Sequence, residues 1–180
     1  MFKKSFFSTK RKTEEILISP MTGRVLAMED VPDPVFSNKK AGLGIAVDPE
    51  AGTVVSPVDG ELVHLFRTKH ALWIRGESGL DILIHIGLDT VYMQGEGFKA
   101  LAGSGERVKT GQPLSEFSLD LVRKKAVSAI TPMFLITPSQ IEHAEIELPD
   151  RAEMGVTPLM KVKVKPYAGD SVERRVHHED

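Results

Sequence analysis

From about Glu14 to Lys165 the chain is built of short apolar or alternating runs: "EILI" at 15–18, "RVLAM" at 24–28, "GIAV" at 44–47, "ELVHLF" at 61–66, "ALWIR" at 71–75, "DILIHI" at 81–86, "MFLIT" at 133–137 and "LMKVKV" at 159–164. Gly, Pro, Asp and Ser punctuate them, as expected of strands closed by turns. One segment breaks the pattern. "SLDLVRKKAVSA" sets Leu119, Val122 and Ala126 at helical spacing behind Ser118 or Asp120 as N-cap, which predicts a short helix. Many short strands and few helices give a mostly β fold class, an antiparallel β-sandwich with one or two short helices.

A repeat sharpens that expectation. "SPMTGRVL" at 19–26 and "SPVDGELV" at 56–63 share Ser-Pro, a glycine three residues after the proline, and then a strand. Proline fixes φ and glycine permits φ > 0, so each reads as a stiff corner between strands. "GERVKTGQPL" at 105–114 adds a third glycine-bounded corner. Together they suggest a duplicated hybrid-motif sandwich.

Charge separates the body from its ends. "MFKKSFFSTKRK" carries Lys3, Lys4, Lys10, Arg11 and Lys12 without an acid, beside Phe2, Phe6 and Phe7. Residues 1–13 therefore read as a disordered or basic amphipathic tail, with 1–12 suited to weak contact with anionic lipid. Residues 166–180, "YAGDSVERRVHHED" among them, read as a disordered tail in which His177 and His178 are inert. The domain proper spans 14–165. With 180 residues, 41% of them hydrophobic, the chain suffices for one core. A net charge of −2 gives no reason to expect nucleic acid. Cysteine is absent, which excludes disulfides and thiolate chemistry. No signal peptide or membrane-spanning run is recognisable, so the expected location is cytoplasmic, peripheral at most at the inner membrane face.

The histidines carry the chemistry. His143, among Glu142, Glu145 and Glu147, reads as a surface residue, and His64 as a structural residue on one strand face with Leu62 and Phe66. In "LDILIHIGLDTV" the alternation puts Ile82, Ile84 and Ile86 on one face and Leu83 and His85 on the other. Residues 71–75 and 80–86 form two arms of a hairpin about Gly76 to Gly79, which brings His70 and His85 to the same end. Such a pair could ligate zinc with a nearby Asp, or one imidazole could act as nucleophile while the other stabilises incoming charge. The sequence has no G-x-x-x-x-G-K-[ST] loop, so a phosphate donor would have to be another phosphoprotein.

"VPDPVFSNKKAGLGIAVDP", "VVSPVDGELVHLFRTKHALWI", "GLDILIHIGLDTVYMQGEGFKALAGSGERVKTGQPLSEFSLDLVRKKA" and "GVTPLMKVKVK" resemble the glucose-type enzyme IIA component of the bacterial phosphoenolpyruvate:sugar phosphotransferase system, over roughly residues 14–165. The resemblance implies that His85 takes a phosphoryl group on Nε2 from the phosphocarrier HPr and passes it to an enzyme IIB domain. It makes His70 the second active-site histidine, stabilising the phosphoryl oxygens, and Thr68 the hydroxyl that orients it. Gly87 would offer its carbonyl to Nδ1 of His85. Asp89 and Asp33 would border the site, facing arginine on HPr. Val35, Phe36, Phe66 and Val91 would form an apolar ring that excludes water and docks partners. No cofactor is required beyond the transient phosphoryl group. In relatives the two histidines can complete a zinc site with a partner's carboxylate, which would accompany binding of regulatory targets. Because IIB domains carry phosphate on cysteine, IIB and the permease are expected as separate polypeptides.

Two departures stand out. "GLG" places Leu43 where well-known members have Gly-Asp-Gly, and Tyr92 replaces an acid found in some members; both bear on partner choice. Two rivals exist on related β-folds. His85, Gly87 and Asp89 match the His-x-Gly-x-Asp of lysostaphin-type zinc peptidases, but the further His-x-His is absent. A biotinyl or lipoyl carrier would require a modified lysine on a hairpin, whereas "LMKVKV" reads as a strand.

Overall fold

The computed structural model describes residues 11–38 and 41–166. The expectations for residues 1–10 and 167–180 lie outside the described residues. The chain begins with β1 (Glu14–Ile18), β2 (Gly23–Ala27), the short helix α1 (Pro34–Ser37), β3 (Leu43–Pro49) and β4 (Thr53–Val55). Next come β5 (Gly60–Leu65), β6 (Ala71–Gly76), β7 (Asp81–His85), β8 (Phe98–Ala100), β9 (Glu106–Val108) and β10 (Pro113–Phe117). It ends with α2 (Leu119–Lys125), β11 (Thr131–Leu135), β12 (Ile141–Ile146), β13 (Arg151–Ala152) and β14 (Pro158–Val164). The predicted helix is α2. Its N-cap Ser118 accepts a hydrogen bond from the Leu121 amide, and Arg123, Lys124 and Lys125 fill the last turn, where positive charge suits the helix dipole.

The strands form an antiparallel β-sandwich. One eight-stranded sheet, ordered β13-β2-β3-β11-β7-β6-β5-β9, is covered by two three-stranded sheets, β1-β14-β12 and β4-β10-β8. Its inner face presents Ile45, Val47, Leu62, Leu72, Ile74, Ile82, Ile84 and Met133 to a core completed by Leu17, Val54, Leu114, Phe117 and Leu159 from the small sheets. On the outer face a second cluster of Leu26, Met28, Phe36, Ala46, Leu88 and Phe134 lies beneath the segment that contains α1.

The repeat is a structural duplication. The order of the large sheet is symmetric about the β11–β7 pair, β2 and β3 on one side answering β5 and β6 on the other. The two Ser-Pro corners meet at the centre: Ile18 N donates to Pro57 O (3.0 Å) and Val55 N to Pro20 O (2.8 Å). Ser19 Oγ donates to Met21 O and Ser56 Oγ to Val58 O, both at 2.7 Å. The corner glycines serve a different purpose from the one expected. Neither Gly23 nor Gly60 has positive φ. A Cβ on Gly23 would lie 2.1 Å from the Asp48 carbonyl oxygen, and one on Gly60 2.0 Å from that of Arg75, so glycine is needed for close strand approach.

His64 also departs from expectation. A β-bulge between Leu62 and His64 sets two residues of β5 against one of β6, so Leu62 stays buried while His64 turns outward to meet Phe66 edge to face, with ring centroids 4.9 Å apart.

Candidate functional site

Antiparallel pairing fixes the site. β6 and β7 form the expected hairpin, with Ala71 opposite His85 and the Ile86 amide donating to His70 O at 2.7 Å. His70 is carried by the turn between β5 and β6, His85 ends β7, and their rings meet with centroids 5.0 Å apart at 77°. Each imidazole is held through Nδ1. His70 Nδ1 is hydrogen-bonded to Thr68 Oγ1 at 2.5 Å, and His85 Nδ1 to the Gly87 carbonyl at 2.7 Å. A carbonyl only accepts, so neutral His85 carries its proton on Nδ1 and leaves the Nε2 lone pair unprotonated.

Local backbone geometry serves these contacts. Lys69, before His70, and Asp89, two residues beyond Gly87, have left-handed φ of 59° and 60°, uncommon for residues other than glycine. Gly87 itself has φ 69°. Its amide donates to Thr131 Oγ1 (3.1 Å), whose hydroxyl donates to Ala129 O (3.0 Å). The Leu88 amide donates to Ser128 O (2.9 Å). The segment after α2 therefore fastens the turn after His85. Thr131 was not singled out as a site residue from sequence; a hydroxyl heading a run of buried positions is the signal that could have found it.

α1 supplies a wall. Asp33 is its N-cap, accepting from Val35 N at 2.8 Å, and Pro34 occupies the first turn, where its missing N–H costs nothing. This places Phe36 with its ring 5.7 Å from His85 and 5.7 Å from Phe134. Phe36 is only 6% exposed, so it walls the site rather than presenting a docking face. Phe66 flanks His70 at 5.9 Å. Val35 and Val91, in contrast, are 56% and 42% exposed, and Tyr92 is 80% exposed. Leu43 begins β3 opposite Leu135, at 36% exposure.

Burial pushes the His70 pKa down from 6.5 to about 4, with the neighbouring His85 adding to the effect. Burial also lowers His85, opposed by the Gly87 carbonyl and the charges of Asp33 and Asp89. The site thus holds two neutral imidazoles, one with a free basic nitrogen.

Residues 15–141 match the family described as phosphoenolpyruvate-dependent sugar phosphotransferase system, EIIA 1. The chain belongs to that family. The "PTS system glucose-specific EIIA component" of Bacillus cereus is 47% identical to this EIIA chain over 165 residues, covering 92% of it and 100% of the relative. The protein of the same name from Halalkalibacterium halodurans is 42% identical over 172 residues, covering 92% and 99%. The solved structure of glucose permease IIA from Mycoplasma capricolum matches with a TM-score of 0.75 at 30% identity, over 83% of this chain and 96% of that one. This EIIA protein is therefore a phosphoryl-carrying component of a sugar phosphotransferase system.

The rival readings gain no support. Among the described residues no group of three or more His, Cys, Asp or Glu is placed to hold a metal ion. "LMKVKV" lies in β14, the central strand of its sheet, and offers no lysine-bearing hairpin. No helix among the described residues is long and apolar enough to cross a membrane.

Proposed function

We propose that His85 accepts a phosphoryl group on Nε2 from HPr and passes it to an enzyme IIB domain, in the cytoplasm. The observation that carries this reading is the His85 Nδ1 to Gly87 carbonyl hydrogen bond, which reserves the Nε2 lone pair for attack. As the phosphorus–nitrogen bond to HPr breaks, the bond to Nε2 forms; the proton stays on Nδ1, still donated to the Gly87 carbonyl, and no proton has to leave. Onward transfer breaks the Nε2–phosphorus bond and forms one to the IIB acceptor. The transition state is largely dissociative, so positioning and charge complementarity supply most of the catalysis.

Thr68 donates its hydroxyl proton to His70 Nδ1, keeping His70 Nε2–H aimed at the phosphoryl oxygens. The depressed pKa keeps His70 a neutral donor near pH 7. Asp33 and Asp89 meet cationic side chains of HPr, while Val35 and Val91 supply exposed apolar contact and Phe36 and Phe66 exclude water. A zinc ion held by His70 and His85 would need ligands from a regulatory partner. Residues 1–12 would bring the carrier to anionic lipid near the permease.

Incubation with phosphoenolpyruvate, enzyme I and HPr should add one acid-labile phosphate by intact mass, and His85→Gln should abolish the gain. His70→Gln should still accept phosphate but deliver it slowly to IIB. Full phosphorylation of His85→Gln would overturn the reading.

A further inference from the structure

We infer that Thr131 is a positioning residue for His85, acting through the Gly87 peptide. The inference rests on His85 as phosphoacceptor and adds what holds its tautomer. The carbonyl that receives the His85 Nδ1 proton belongs to a glycine, the residue type least able to fix its own conformation. Gly87 sits at φ 69°, and the two peptide units flanking it are secured from outside. The unit on its carbonyl side is held by the Leu88 amide donating to Ser128 O at 2.9 Å. The unit on its amide side is held by a side chain at each end, with Gly87 N donating to Thr131 Oγ1 at 3.1 Å and Ile86 O accepting from Thr90 Oγ1 at 2.5 Å.

Thr131 suits this task. It is fully buried, stands first in β11 opposite Val47, and its hydroxyl proton is committed to Ala129 O at 3.0 Å, which turns the oxygen lone pairs toward Gly87. β-branching also restricts its χ1. Gly87 is buried as well, so loss of this acceptor would leave its N–H unpaired away from water. The turn would then rotate about the glycine to find another partner and carry the carbonyl away from His85. Without that acceptor the imidazole proton redistributes to Nε2, which removes the nucleophilic lone pair.

The test compares wild type, Thr131→Val, which keeps shape but lacks the hydroxyl, and Thr131→Ser, which restores it. Two quantities are read: the protonated nitrogen of His85 by ¹⁵N NMR of the unphosphorylated protein, and the rate of phosphoryl acceptance from phosphorylated HPr. In wild type and Thr131→Ser, His85 should be protonated on Nδ1. Thr131→Val should show substantial Nε2 protonation and slower acceptance by about tenfold, the low end of what losing a partner that orients a metal-ligating imidazole costs. A slower Thr131→Val with His85 still wholly on Nδ1 would reduce Thr131 to a structural role and overturn the inference; so would an unchanged tautomer with an unchanged rate. A shifted tautomer with an unchanged rate would support the positioning role and count instead against His85 as acceptor. Should Thr131→Val fail to fold, hydrogen exchange in wild type decides: the Gly87 amide must be protected, and exchange at the rate of an open loop would overturn the inference.

Discussion

His70 and His85 stand edge to face, their centroids 5.0 Å apart, and each is anchored through Nδ1 to a different kind of oxygen, a hydroxyl for one and a carbonyl for the other. Burial is the main reason both resist protonation. An NMR titration should therefore find both midpoints below 6.5, that of His70 near about 4. Between those two values the unfolded chain binds a proton that folded His70 refuses. This contribution to stability is therefore fully present above about 6.5 and is lost as pH falls toward about 4. Urea unfolding from pH 7 to 4 should show the decline, and His70→Gln should make it shallower. A His70 midpoint at or above 6.5 would refute the account.

Gly87→Ala should impair both folding and transfer. The added Cβ meets Thr90 Cγ2 at 2.6 Å and Ser128 O at 2.9 Å, at a left-handed φ of 69°. Left-handed backbone alone costs about 1–2 kcal/mol, so a total of about 2–3 kcal/mol is expected in urea unfolding, together with slow phosphoryl acceptance. Gly105→Ala is the control. It also has positive φ, 87°, but its Cβ meets nothing within 4 Å, so it should lose about 1–2 kcal/mol and no activity.

The Phe36 ring packs on both His85 and Phe134, so Phe36→Ala should couple stability to titration. Loss of a buried phenyl ring costs about 3–5 kcal/mol. Water reaching His85 would relieve the desolvation that lowers its pKa, so the midpoint should rise toward 6.5. A stability loss with an unmoved His85 midpoint would mean that Phe36 supports its own cluster without shielding the imidazole.

Much of this was legible because the informative residues carry their own pattern. The isoleucines at 82, 84 and 86 alternate with Leu83 and His85, and that period alone sets the imidazole on the outer face. Hairpin pairing then brings His70 to it. Strands such as β8, β9 and β13 were not legible, since two or three residues have no periodicity and exist only through their neighbours. The bulge that turns His64 outward leaves no mark in the alternation. Thr131 was missed for a related reason: its importance comes from an amide 44 residues away, which no local pattern records. The resemblance to known carriers implied roles for both histidines, for Thr68 and for the Gly87 carbonyl, but was silent on what holds the Gly87 turn itself.

The duplicated corners lead to the last prediction. Ser19 and Ser56 are both fully buried, and each donates its hydroxyl at 2.7 Å to the carbonyl two residues on. Either serine changed to alanine leaves a carbonyl without its donor, at a cost of about 1–2 kcal/mol. The two sites are not independent, because the residue before each serine donates to the proline carbonyl of the other corner. A rearrangement in one corner therefore strains the hydrogen bonds of its counterpart. In a cycle of wild type, Ser19→Ala, Ser56→Ala and the double variant, the two single losses should be similar. They should also differ from additivity by at least about 0.5 kcal/mol. Strict additivity would show that the corners share a shape by descent without sharing stability. Coupling would make the junction of the two halves one cooperative unit.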